Sequence, residues 1–244
     1  MISVQKGNVG VAQLPRTNLT SAYRWYLDTI GMRIPTRVTR DDRKAQTRER
    51  LIAEAHRVFL RRGFHAATLE EIAAEAGVTK GAVYSNFEGK TDLFMAVLDA
   101  RKRGRLELYE RVRSSAPSME DSARAHVRVM LDDDPEGRWA SALVEAWAAS
   151  EGDERFRARL AAAGEDINRM VGEVIEEIAA RGDLDLPYPA ERLAQIGAAV
   201  ARGLLLQRLH DPRPLSNAEI EETFVAFARG MTRPRAGSPR KEEP

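Results

Sequence analysis

Residues 68–87 read Thr-Leu-Glu-Glu-Ile-Ala-Ala-Glu-Ala-Gly-Val-Thr-Lys-Gly-Ala-Val-Tyr-Ser-Asn-Phe, and their apolar and polar side chains separate at helical spacing. Leu69, Ile72, Ala73, Val78, Val83 and Phe87 fall on inward faces, which leaves Lys80, Tyr84, Ser85 and Asn86 on the outward face of a second short helix. A cation, a phenol, a hydroxyl and a carboxamide presented together suit phosphate oxygens and the edges of DNA bases. Gly81 adds a position where backbone can come close to a base or phosphate. Thr68 and Thr79 stand where helix N-caps are needed, and Thr68 with Glu71 spells a capping box. Both hydroxyls lie beside exposed helix-start amides, a natural seat for a phosphate. Two short helices joined by a tight turn at Gly77 make the helix-turn-helix pattern, whose second helix can enter the major groove.

Other chemistries are poorly supplied. The 244 residues contain no cysteine, which removes disulfides, thiolate nucleophiles and cysteine-based metal sites together. His56, His65, His126 and His210 show no metal-ligand spacing, and no metalloprotease, nucleophile-elbow or phosphate-loop string is present. No enzyme activity, cofactor or metal is therefore expected. No window has the run of roughly 18 apolar residues that a membrane helix requires, and no secretory signal is evident. A cytoplasmic protein without a membrane partner follows.

The elements that must position this motif are helical. Apolar residues recur at three- and four-residue steps, strand-like alternation is scarce, and the fold class is all-α. A first helix over about 43–62 carries Leu51, Ile52, Ala55, Val58 and Phe59 on one face and stops at Gly63. Helices follow at about 69–76, 79–87 and 91–113, and then at 118–131, 135–150, 154–181, 189–210 and 217–230. The segment 189–210 has too many apolar residues for one face, so it is either central or covered by another subunit. Ile220, Phe224 and Phe227 give the last helix a stripe to match.

Charge divides with the motifs. The formal net charge is +1, yet residues 33–113 hold 18 basic and 12 acidic side chains, whereas residues 114–244 hold 17 and 24. A basic segment seeks polyanions and the acidic remainder does not. The sequence thus divides into a leader at 1–40, a DNA-binding domain at 41–113, a helical domain at 114–231 and a solvated tail at 232–244. Either the leader is a flexible arm or the native chain starts at Met32. Arg37, Arg40, Arg43 and Lys44 read either as a solvated charge run or as an arm for the minor groove.

From Thr47 to about Arg105 the chain resembles the N-terminal domain of the TetR family of bacterial transcriptional regulators. The matching residues are Gly63-Phe64, Thr68-Leu69-Glu70-Glu71-Ile72-Ala73, Ala76-Gly77-Val78-Thr79-Lys80-Gly81, Val83-Tyr84, Asn86-Phe87 and Lys90-Thr91-Asp92-Leu93. The resemblance implies DNA contacts at Thr68, Thr79, Lys80, Gly81, Tyr84, Ser85, Asn86 and Lys90. It departs from the family at Ser85 and Asn86, where an aromatic residue or histidine is frequent, and in the long leader. It further implies a helical C-terminal domain that binds a small-molecule effector, and a homodimer in which the last two helices of each chain pair. That combination is a repressor released from a double-stranded, palindromic operator. His126, Met130, Trp139, Trp147 and Met170 are candidates to line the effector pocket, with plain core packing as the competing role of each. The alternative function is a DNA-binding architectural or cell-division protein without an effector, favoured if the C-terminal helices enclose no ligand-sized cavity.

Overall fold

The structure, a computed structural model, describes residues 39–115, 118–134 and 136–234. The leader to residue 38 and the possible start at Met32 lie outside these residues. The described chain is helical: α1 (Arg40–Ala66), α2 (Leu69–Glu75), α3 (Lys80–Tyr84), α4 (Lys90–Ser115), α5 (Met119–Asp133), α6 (Arg138–Ala149), α7 (Glu154–Gly182), α8 (Ala190–His210) and α9 (Asn217–Gly230). No described helix is long and apolar enough to cross a membrane. At the start of α1, the Thr39 amide donates to the Asp42 carboxylate and the Asp42 amide to the Thr39 hydroxyl, a reciprocal N-cap.

The first core is aromatic and aliphatic. Leu51, Ala55, Val58 and Phe59 of α1 meet Ile72, Val83, Leu93 and Phe94, all buried. Phe59, Phe64 and Phe94 contact one another with ring centroids 5.0–6.0 Å apart. Trp139 of α6 and Phe156 of α7 enter the same cluster, so the core of the helix-turn-helix is continuous with the helices that follow it.

The sequence places the end of the first helix at Gly63, and the backbone there leaves helical geometry, with φ 76° and ψ 177°. That region of conformational space is open essentially to glycine alone. Helix α6 differs from expectation at its start. The sequence places this start near residue 135, but the helix begins at Arg138, and the buried Asp134 carboxylate accepts the amides of Trp139 at 3.0 Å and Ala140 at 2.9 Å. The cap reaches its helix across a short loop, which a local N-cap pattern does not encode. Capping at Ser118, Asp153 and Ser216 is local, and the Ser216/Glu219 box is complete.

The apolar stripe of α9 is used within the protomer. Ile220, Phe224 and Val225 are buried with Ala123, Val127 and Leu131 of α5 and Ala201 and Leu205 of α8. Of the stripe Ile220, Phe224 and Phe227, the first two are thus spent on α5 and α8, while Phe227 is half-buried. On α8, Leu193, Ala194, Ala201 and Leu205 are buried, while Ile196, Val200, Leu204 and Leu206 are half-buried. Thr232 is half-buried, and Arg233–Pro234 pairs antiparallel with Leu184–Asp185, so the stretch expected to be tail begins tied down.

Candidate nucleic-acid interface

The turn between α2 and α3 is a Schellman motif. The Val78 amide donates to the Ala73 carbonyl and the Gly77 amide to the Ala74 carbonyl, with Gly77 at φ +62° in the left-handed region. Thr68 accepts from the Glu71 amide at 3.1 Å, and Thr79 from the Ala82 amide at 3.2 Å. The two threonines are therefore N-caps with exposed side chains. Helix α3 ends at Tyr84, earlier than Phe87, and the chain continues as a turn in which the amides of Asn86 and Phe87 bond to the Val83 carbonyl.

Val83 and Phe87 anchor this segment in the core. Tyr84 is 52% exposed, a large value for an aromatic residue next to a packed core. Lys80 and Gly81 are exposed beside it, and the Lys80 ammonium lies 5.8 Å from the Tyr84 ring centroid. Lys80 also pairs with Glu70 of α2. Hydrogen bonding to Lys80 holds the Glu70 carboxyl below its usual range, and Glu70 raises the Lys80 ammonium. Both groups face solvent, so salt and a denser array of phosphates compete for this pair. A side chain at Gly81 would meet only the Thr79 hydroxyl, at 3.8 Å. Any requirement for glycine there comes from a partner.

Ser85, Asn86 and Lys90 are placed differently. The Ser85 hydroxyl donates to the Ala82 carbonyl at 2.9 Å, and the Asn86 amide nitrogen donates to the same carbonyl at 2.8 Å. Both side chains close the end of α3, and the Asn86 oxygen is buried without a hydrogen-bond donor. Ser85 remains exposed, while Asn86 is half-buried. The Lys90 ammonium is turned inward, over the Phe64 ring at 4.8 Å, and donates to the carbonyls of His65 at 2.9 Å and Ala67 at 3.1 Å. Burial pulls it below its ordinary value, an effect opposed by the negative charge of Glu145. It secures the α1–α2 connection from within. On the rim, Arg48 of α1 stacks over Phe87 at 4.6 Å, a cation beside the end of α3 that lies outside the helix-turn-helix motif.

Long-range charge contacts add to the shared aromatic core in joining this unit to the rest of the chain. The Glu145 carboxylate of α6 accepts the His65 amide at 2.8 Å and fills the hollow at Gly63. Arg159 of α7 donates through both terminal nitrogens to Asp92, at 3.1 Å, and Arg155 donates to Glu88 at 3.1 Å. Arg101 of α4 contacts His56 and lies over Trp139 at 4.4 Å. Within the motif, Arg61 and Arg62 of α1 hold Glu71 of α2, and Arg61 also holds Glu75. None of these partners is near in sequence to the residue it grips, so spacing gave no signal.

The five effector-pocket candidates are not brought together. Trp139 is buried in the first core, stacked on Phe94 at 5.1 Å. Met170 lies on a charged surface groove with Lys102, Asp166, Arg169 and Glu173. Met130 packs against the α5/α8/α9 cluster, and Trp147 is 39% exposed. Only His126 lines the apolar, half-open cleft among α5, α7, α8 and α9, which encloses about 70 Å³. Its ring stacks on Phe224 at 5.8 Å, and burial, with the charge of Arg105, pushes the imidazole down to about 4. Large residues at helical spacing filled space at several separate places, which residue type alone does not distinguish. Among the described residues no group of three or more potential metal ligands converges.

Comparison with known proteins agrees with this geometry. Residues 51–97 match the family described as bacterial regulatory proteins, tetR family, and residues 119–233 match BetI-type transcriptional repressor, C-terminal. The HTH-type transcriptional repressor BepR of Brucella suis biovar 1 (strain 1330) is 30% identical over 172 residues, covering 68% of this chain and 82% of BepR. The HTH-type transcriptional regulator SrpR of Pseudomonas putida is 30% identical over 168 residues, covering 67% and 76%. Among solved structures, reduced E. coli NemR is similar with a TM-score of 0.61, at 21% identity over 78% of this chain and 99% of NemR. FadR from Bacillus subtilis, in complex with stearoyl-CoA, is similar with a TM-score of 0.63, at 13% identity over 74% and 96%. At these identities the likeness to solved structures bears on the fold.

Proposed function

The chain belongs to the TetR family of bacterial regulatory proteins, and from that membership we propose that it is a dimeric repressor released from a palindromic operator by a small molecule. It is a DNA-binding transcriptional regulator, and no catalytic activity is proposed for it. The observation that carries the reading is the two-sided character of α3, where Val83 is fully buried while Lys80 and Tyr84 project into solvent. Such a helix presents a phosphate-seeking cation and a phenol to a groove. Thr68 and Thr79 cap α2 and α3 and offer hydroxyls to the flanking phosphates. Ser85, Asn86 and Lys90 act mainly by holding α3 and the α1–α2 connection in place.

The reader comprises residues 41–113 and the sensor residues 114–231. Two readers must straddle half-sites about 34–36 Å apart, which requires a second copy. The half-buried Ile196, Val200 and Leu204 of α8 supply apolar surface for it. The effector acts by favouring an arrangement of α4, α6 and α7 that moves the reader through Glu145, Arg155 and Arg159. The protein works in the cytoplasm, where its operator is.

The effector-free alternative draws support from the small cleft, because about 70 Å³ is far below the ~300–1,000 Å³ of typical ligand sites. Under the effector reading, the C-terminal helices separate on binding. The test is selection of bound genomic DNA fragments, followed by a screen for small molecules that release them. Release with unchanged protein integrity supports the repressor; a palindrome that no compound releases supports the alternative.

A further inference from the structure

Most arginines of the C-terminal helices are neutralised or solvated. Arg124 and Arg128 hold Glu221, Arg229 holds Glu120 and Arg169 holds Asp166. Arg202 of α8 has neither remedy. It is half-buried and, among the described residues, has no hydrogen-bond or ion-pair partner; its guanidinium rests 4.6 Å from the centre of the Trp147 ring on α6. Burying a cation without a counter-ion is unfavourable, and an aromatic face compensates it only in part. A residue kept in that state is poised for an anion that the protein does not itself supply. Desolvation and then the positive charge of Arg105 on α4 lower the Arg202 guanidinium from its ordinary value, so a second cation adds to the field there. Val144 stands one turn before Trp147 on the same face of α6, and the two are 38% and 39% exposed. They form an apolar wall beside the charge.

We propose that Arg202 and Trp147, with Val144 beside them, form the recognition point for an organic anion, a carboxylate joined to an aromatic or aliphatic body. This proposal rests on the effector reading above and names the ligand class. The carboxylate bonds to the guanidinium, whose planar fork matches it. The apolar body covers Val144 and the open part of the Trp147 ring. The acidic balance of residues 114–244 suggests a cationic ligand instead; that charge lies largely on the surface, whereas Arg202 is half-buried against Trp147.

The test uses the full-length protein and matched probes: decanoate and 1-naphthoate as anions, decanol and 1-naphthamide as neutral counterparts, and decyltrimethylammonium as the cation. Calorimetric titration and indole fluorescence report binding, and sedimentation reports assembly. At least one anion binds and perturbs the indole signal, and Arg202→Gln weakens that anion about tenfold or more. The neutral counterparts bind Arg202→Gln as they bind the wild type. Operator binding by Arg202→Gln in the absence of probe establishes that the variant is folded. Three results overturn the proposal: no anion binds, the anion is insensitive to Arg202→Gln, or Arg202→Gln disrupts assembly while no anion binds, which would assign Arg202 to a carboxylate of a second copy. Loss of sequence-specific DNA binding by the wild type, with anion binding intact, would refute the regulator reading and leave the anion site standing.

Discussion

Gly63→Ala tests whether the end of α1 is seated on Glu145 of α6. Two separate costs are expected. The first is conformational, since φ 76° with ψ 177° is a region a residue with Cβ rarely occupies, and holding alanine there costs about 1–3 kcal/mol. The second comes from Glu145, because the new Cβ would lie 2.6 Å from its Oε2. That oxygen ends a flexible side chain, so it swings away rather than straining the backbone, and what is lost is its bond to the His65 amide. His65 is exposed and water replaces part of that bond, which leaves about 1 kcal/mol. The total is about 2–4 kcal/mol, read by urea unfolding at fixed protein concentration. In an Glu145→Ala background the second cost is already spent, so Gly63→Ala costs only the conformational part. The double-mutant cycle should show a coupling of about 1 kcal/mol, with the double variant more stable than the two single losses predict. A neutral Gly63→Ala would refute the backbone assignment, and strict additivity would refute the Glu145 contact.

Further outcomes follow from the same packing. Phe59→Ala, at the centre of the aromatic cluster and fully buried, should cost about 3–5 kcal/mol by denaturation. Asp134→Ala strips the buried amides of Trp139 and Ala140 of their acceptor and should cost about 2–4 kcal/mol, with α6 protected less against hydrogen exchange. His126 sets a pH dependence. Its folded imidazole lies near 4 and its unfolded one near 6.5, so between these values the unfolded chain binds the extra proton. Stability is fully present above about pH 6.5 and falls as pH drops toward 4, by up to about 3 kcal/mol. His126→Gln should flatten that part of the pH profile measured by thermal unfolding; an unchanged slope would remove His126 as its source.

What could be read from sequence was what is encoded locally. The caps at Thr68 and Thr79, the stop at Gly63 and the Gly77 turn each depend on residues within a few positions and stand in the structure, whereas the capping box expected at Thr68 and Glu71 is only half closed, because the Glu71 carboxylate is held by Arg61 and Arg62. The fold class followed from the same periodicity. Lys90 illustrates the limit. The resemblance implies a DNA contact there, while in the structure its ammonium donates to carbonyls 23 and 25 residues earlier, which only the folded α1–α2 connection brings near. Asn86 turns back to Ala82 because α3 ends after five residues and leaves that carbonyl to be satisfied. Trp139 and Trp147 are equivalent by type, yet one joins the core between α1, α4 and α6 and the other lies under Arg202. Glu145 and Arg159 had no sequence mark, because a carboxylate gripping an amide 80 residues away has no periodicity.

DNA reading by α3 is tested by footprinting on DNA fragments selected by the wild-type protein, repeated with Tyr84→Ala and Lys80→Ala. A protected pseudo-palindrome with half-sites about one helical turn apart is expected, with salt-sensitive binding and loss of specific protection in both variants despite wild-type folding. Full protection of the same site by both variants would contradict it, since the face of α3 that Lys80 and Tyr84 present would then not be the surface that reads the DNA.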